Sequence, residues 1–169
     1  MSRAWTCSDC GETHTGLPAL AFEYPLAWDQ LSDAERASSV LEADWCEIRS
    51  EEGEYFYVRG SFEIPIRDWD EPLEFGLWSS LSAANFRRYV ELYDDPARVD
   101  EPPYSSYLGN QLPGFPDTLN LKAWVEIYAE ELRPRIVLHE QDHPLVAAAR
   151  DGIDLAQAIA LVEPAMHPV

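Results

Sequence analysis

Apolar and polar residues alternate through the middle of this chain in the two-residue period of half-buried strands. From Asp44 to Ser50, Trp45 and Glu47 face one way while Cys46 and Ile48 face the other. Glu51-Glu52-Gly53 reads as a turn, Glu54 to Arg59 as a second strand, and Phe62 to Ile66 as a third, with Gly60 permitting a bend or bulge between them. Leu73, Phe75 and Leu77 give the segment Leu73 to Trp78 one core-facing side. Ala19 to Tyr24, Tyr104 to Asn110, Leu119 to Tyr128 and Arg135 to Glu140 carry further strand patterns. The short turns in the middle of the chain dictate antiparallel pairing there, because a parallel neighbour needs a long crossover.

Helices announce themselves by their caps. Ser32 and Glu35 stand at the spacing of a capping box and open a short helix. Ser82 caps a longer one reaching about Tyr93, whose Phe86, Tyr89, Val90 and Tyr93 fall on one face. Pro144 to Arg150 and Asp154 to Val162 predict two closing helices with Gly152 as the cap between them. The expected fold is therefore α+β, one domain over 1–169: a twisted, mainly antiparallel sheet of about five to seven strands, with helices packed on one face and at the C-terminus. Within it, 1–18 form an N-terminal arm and Cys/His knuckle, 19–140 the sheet with inserted helices, and 141–169 the C-terminal helices.

Composition changes this picture in one respect. Hydrophobic residues make up 46% of the 169, enough for a continuous core. The formal charge is −19, with 12 basic residues against 31 acidic ones. Phosphate neutralisation by Lys and Arg drives nucleic-acid binding, so nucleic acid and anionic membrane surfaces are excluded as expected partners. An acidic surface keeps a protein soluble; read more sharply, it docks a basic protein partner. Neither a signal peptide nor a run of ~20 apolar residues is present, and the odd cysteine count suits a reducing compartment, so the expected location is the cytoplasm.

The one local pattern with chemical content is Cys7-Ser8-Asp9-Cys10-Gly11-Glu12-Thr13-His14. Two thiolates at this spacing chelate zinc from one tight turn, and the following glycine lets the backbone double back. A structural zinc site needs four ligands and the motif supplies three. Cys46, His139, His143 and His167 are the remaining soft or imidazole donors, and Cys46 and His143 are the expected completions of the metal set Cys7, Cys10 and His14. The same two cysteines fit dithiol–disulfide exchange less well, because no strand precedes them. Asp142-His143-Pro144-Leu145 sets a carboxylate beside an imidazole, but a polar residue before proline is also an ordinary helix opening. Core packing is expected for Trp45, Trp69, Trp78 and Trp124. There is no nucleophile elbow, phosphate-binding loop or dinucleotide fingerprint.

Taken together, Cys7-x-x-Cys10-Gly11-x-x-His14-x-x-Leu17-Pro18, Asp44-x-Cys46-x-Ile48, Phe56-x-Val58-Arg59-Gly60, Glu63-Ile64-Pro65, Gly76-x-Trp78-x-Ser80-Leu81-Ser82, Leu112 to Asn120 and Asp142-His143-Pro144-Leu145 are similar, in order, to a bacterial family known as domain of unknown function 2199. The resemblance implies a bacterial, one-domain protein and brings no established reaction with it. It supports reading Cys7, Cys10, His14 and Cys46 together. The function expected is that of a non-catalytic cytoplasmic domain, stabilised by an N-terminal zinc knuckle, that binds another protein, an immunity or antitoxin role being one version. The alternatives are a zinc hydrolase with an open metal position and a thiol-redox protein using Cys7 and Cys10.

Overall fold

The structure, a computed structural model, describes residues 3–129 and 133–168. Ten strands and five α-helices follow one another as β1 (Ala4–Thr6), β2 (Thr13–Thr15), β3 (Leu20–Ala21), α1 (Leu26–Asp29), α2 (Asp33–Ser38), β4 (Val40–Leu41), β5 (Trp45–Ser50), β6 (Gly53–Ile64), β7 (Leu73–Leu81), α3 (Ala83–Glu91), β8 (Tyr104–Leu108), β9 (Lys122–Glu126), β10 (Arg135–Leu138), α4 (Pro144–Asp151) and α5 (Leu155–Met166), with a 3₁₀ turn at Pro96–Asp100. Ser32 and Glu35 form the capping box expected at α2, and Asp154 with Gln157 forms a second at α5.

The sheet is not open. Strands β6, β7, β8, β9 and β10 pair in succession and β10 returns to β6, which closes a five-stranded barrel; β5 and β4 extend it beyond β6, and β3 lies along β7. All pairings within the barrel are antiparallel except the closing one, where Arg135 sits beside Ser61 in parallel register. The alternation that marks a strand's buried side says nothing about its partner, so an open twisted sheet and a closed barrel share one sequence pattern. Gly60 explains the closure. It does not break the strand: β6 runs unbroken through it. A Cβ there would lie 2.7 Å from the Pro134 carbonyl oxygen and 2.9 Å from the Ile136 side chain. The missing side chain lets β10 approach, and the Ser61 amide donates to that same Pro134 carbonyl at 2.9 Å.

Inside the barrel, Phe62, Ile64, Leu73, Phe75, Leu77, Leu108, Ala123 and Ile136 form the main core, which continues into Leu145, Ala158 and Val162 of the C-terminal helices. Helix α3 buries Phe86 and Tyr89 against Val58, Leu81, Tyr104 and Val125, as its 3.6-residue period requires. A third cluster, Cys46, Ile48 and Trp78, is covered by Phe22 and the α1 region. Trp78 is fully buried, but Trp124 remains 37% exposed, its ring tilted against His139, so core packing fails for that tryptophan. Asp44 ties the periphery together: it accepts from Tyr93 at the end of the α3 segment and from Arg133 before β10, at 2.8 Å for the latter. Burial pushes the Asp44 carboxyl up, but these hydrogen bonds and the positive charge of Arg133 and Arg59 outweigh it and hold it below its usual range.

Two outcomes follow. Gly60→Val forces β10 off β6 and costs about 1–3 kcal/mol in urea unfolding, with the fold retained. Asp44 titrates lower in the folded than in the unfolded chain, so its contribution is complete above the unfolded value of ~3.9 and disappears as pH falls through the folded value. Asp44→Asn is therefore less stable than the parent at pH 7, and its stability declines less steeply on acidification below about pH 4, measured by chemical unfolding across pH.

Candidate metal centre

Residues 4–15 are a hairpin, not the polar loop their composition suggests. Trp5 pairs with His14 across β1 and β2, and Thr6 with Thr13. Between the strands the chain makes a tight knuckle: the Gly11 amide donates to the Cys7 carbonyl at 3.0 Å and the Cys7 amide to the Glu12 carbonyl at 2.9 Å. Gly11 adopts φ +71°, a conformation that costs glycine nothing. Trp5 anchors the hairpin. It is 5% exposed within the main core, and its indole N–H donates to the Gly16 carbonyl at 2.8 Å.

The hairpin meets the end of α5. Glu163 accepts from the Ser8 amide at 2.7 Å and from the Ser8 hydroxyl at 2.8 Å. Those two donors hold its carboxyl below the usual carboxylate range. One turn later His167 caps the helix, its own amide donating to the Glu163 carbonyl at 3.1 Å. This brings His167 Nε2 to 3.2 Å from Cys7 Sγ, while His14 Nε2 lies 3.5 Å from Cys10 Sγ. One ligand atom from each of Cys7, Cys10, His14 and His167 lies within 4.8 Å of the other three. Such a group can hold a metal ion. Cys7 is buried, the two histidines are half-buried and Cys10 is exposed.

The donor set is chemically coherent. Bonds of ~2.0–2.3 Å to nitrogen and sulfur place neighbouring tetrahedral ligands about 3.5 Å apart, near the 3.2 and 3.5 Å of the two Cys–His pairs. The Cys10 amide pulls the Cys7 thiol down, but burial and the adjoining Cys10 thiol outweigh it and hold Cys7 above its ordinary value. A thiol raised in this way keeps its proton in the metal-free protein and surrenders it when a cation arrives.

Of the five expected ligands, Cys7, Cys10 and His14 are brought together; Cys46 and His143 lie elsewhere. Cys46 is fully buried in β5 beside Ile48 and Trp78, and burial, reinforced by the charge of Glu47, pushes its thiol up to about 12. His143 caps α4, its Nδ1 accepting from the Leu145 amide at 3.0 Å. Its Nε2 then carries the proton, facing the carbonyls of Asp117 at 2.9 Å and Pro116 at 3.1 Å. Both hydrogen-bonding positions of that ring are thus used by the backbone. His167 was one of four leftover donors in the sequence, and no spacing singled it out.

Comparison with known proteins bears on the same segment. A family model described as an uncharacterised protein conserved in bacteria, DUF2199, matches residues 6–153. The chain belongs to this family. No curated protein and no solved structure matches it. The DUF2199 span includes Cys7, Cys10 and His14, whereas His167 lies outside it. No helix among the described residues is long and apolar enough to cross a membrane.

Because Cys7 is held protonated more firmly than an ordinary thiol, loading this DUF2199 protein with Zn²⁺ at neutral pH releases protons, and apparent affinity weakens as pH falls. Titration of metal-free protein in weakly buffered dye solution, repeated at three pH values, measures both effects.

Proposed function

We propose that this protein is a non-catalytic cytoplasmic domain stabilised by a structural Zn²⁺ on Cys7, Cys10, His14 and His167, and that it acts by binding another protein. The observation that carries the metal assignment is a complete set of two sulfur and two nitrogen donors within 4.8 Å of one another. Structural zinc sites are closed by four protein ligands, whereas catalytic ones keep a position for water. A set of four therefore favours stabilisation over chemistry. The ion links a two-stranded hairpin, too small to be stable alone, to α5.

The binding role rests on charge. A surface carrying −19 repels polyanions and is complementary to a basic protein, the immunity or antitoxin arrangement being one instance. The acidic excess raises the encounter rate with such a partner and makes association weaken with added salt.

Plasma mass spectrometry of freshly purified, untagged protein is expected to find close to one zinc per chain. Cys7→Ser/Cys10→Ser loses it, His167→Ala loses most of it, and Cys46→Ala keeps it. X-ray absorption at the zinc edge should count two sulfur and two nitrogen neighbours. Three protein ligands plus a water oxygen would sink the structural assignment and point to a hydrolytic centre. Affinity capture from a bacterial host at low salt tests the other half: failure to enrich any basic protein reproducibly would remove the partner.

A further inference from the structure

We infer that this centre is also an oxidant-operated latch: a peroxide converts Cys7 and Cys10 to a disulfide, the ion leaves, and the end of helix α5 is released. The inference rests on the zinc reading above. Its basis is an asymmetry in the site. Cys10 is exposed and Cys7 is 1% exposed, so a small oxidant reaches one sulfur and the other stands behind it as the resolving group. Both sulfurs belong to one four-residue knuckle, and their Sγ atoms lie within the 4.8 Å that bounds the cluster. A disulfide between them requires local rotation of two side chains and no movement of the barrel.

The chemistry balances. The Cys10 thiolate attacks one peroxide oxygen, the O–O bond breaks, and the second oxygen leaves as water or an alcohol after taking up a proton. Sulfenic acid remains on Cys10. The Cys7 thiolate attacks that sulfur, the S–S bond forms, and hydroxide departs. Two electrons pass from the sulfur pair to the peroxide, and Zn²⁺ keeps its oxidation state throughout. What remains for the ion is two imidazoles, His14 and His167, too few donors to hold it closed.

The consequence falls on α5. His167 faces Cys7 in the knuckle at 3.2 Å, and one turn earlier Glu163 makes the exposed contact with Ser8. The helix places Ala158 and Val162, both fully buried, into the main core. Its Ala160, Leu161 and Pro164 also line a cleft of about 750 Å³ together with Gly114, Phe115 and Ala148. Loosening α5 widens this cleft and bares apolar surface that the reduced protein keeps covered. A reductant that re-forms the two thiols restores the site when zinc is present.

The test uses the zinc-loaded full chain, exposed to excess hydrogen peroxide without reductant. Expected are release of one zinc per chain to a chromogenic chelator, a Cys7–Cys10 disulfide by peptide mapping, and amide exchange in 155–166 accelerated roughly ten-fold while β6 and β7 are unchanged. Dithiothreitol plus zinc reverses all three. His167→Ala, which removes the tether without oxidation, should show the fast exchange in its reduced state, and Cys46→Ala should respond like the parent. Zinc retained with both thiols intact overturns the latch while leaving the structural site standing. Release of zinc without any change in α5 exchange also overturns it. Absence of zinc before the oxidant is added overturns the metal reading itself, and the latch with it.

Discussion

A single close approach of backbone to backbone sets the architecture. At Gly60 the carbonyl of Pro134 comes nearer than any side chain permits, and there the fifth strand of the barrel meets the first. Antiparallel neighbours along the chain would form in either an open or a closed sheet. Only this seam makes the barrel, because its two sides come from segments more than seventy residues apart, Ser61 and Arg135. Closing it gives Phe62, Ile64 and Ile136 a shared interior. It also removes two edges that would otherwise present unpaired amides to other chains.

The metal centre depends on that interior indirectly. Trp5 and Cys7 belong to the same buried cluster as Phe75 and Val162, so the hairpin and α5 are both seated on the barrel before any ion binds. Seating alone brings four donors close, with Ser8 and Glu163 fixing the angle at which knuckle and helix meet. An ion bound there would add to an arrangement already favoured, unlike small metal-folded modules that have no core without their zinc. Its contribution would fall on the hairpin and α5, with the barrel as the platform.

What the sequence discloses follows the range of each interaction. The buried face of α3 is legible because Phe86 and Tyr89 repeat within one helix, and the caps at Ser32, Ser82, Asp154 and Gly152 are legible because capping spans a few residues. Strand positions are legible for the same reason. Gly60 is visible but ambiguous: a glycine in a strand marks either a bend or a close approach, and the partner that decides between them is Pro134. The site divides likewise. Cys7, Cys10 and His14 share one turn and one spacing, while the fourth donor had to be chosen among Cys46 and three histidines that look alike in sequence. Folding distance separates them, since Cys46 is sealed under Trp78 and His143 is occupied by backbone.

The separation of 160 residues between Cys7 and His167 has a consequence for the order of events in synthesis. The first three donors leave the ribosome early and the fourth follows nearly the whole barrel. The four donors therefore come together only after α5 is made and docked. A chain cut short before His167, or one whose barrel has misfolded so that the two segments never meet, does not assemble the four-donor set. The assembled set of four donors is thus a mark of a molecule translated through α5 and correctly folded.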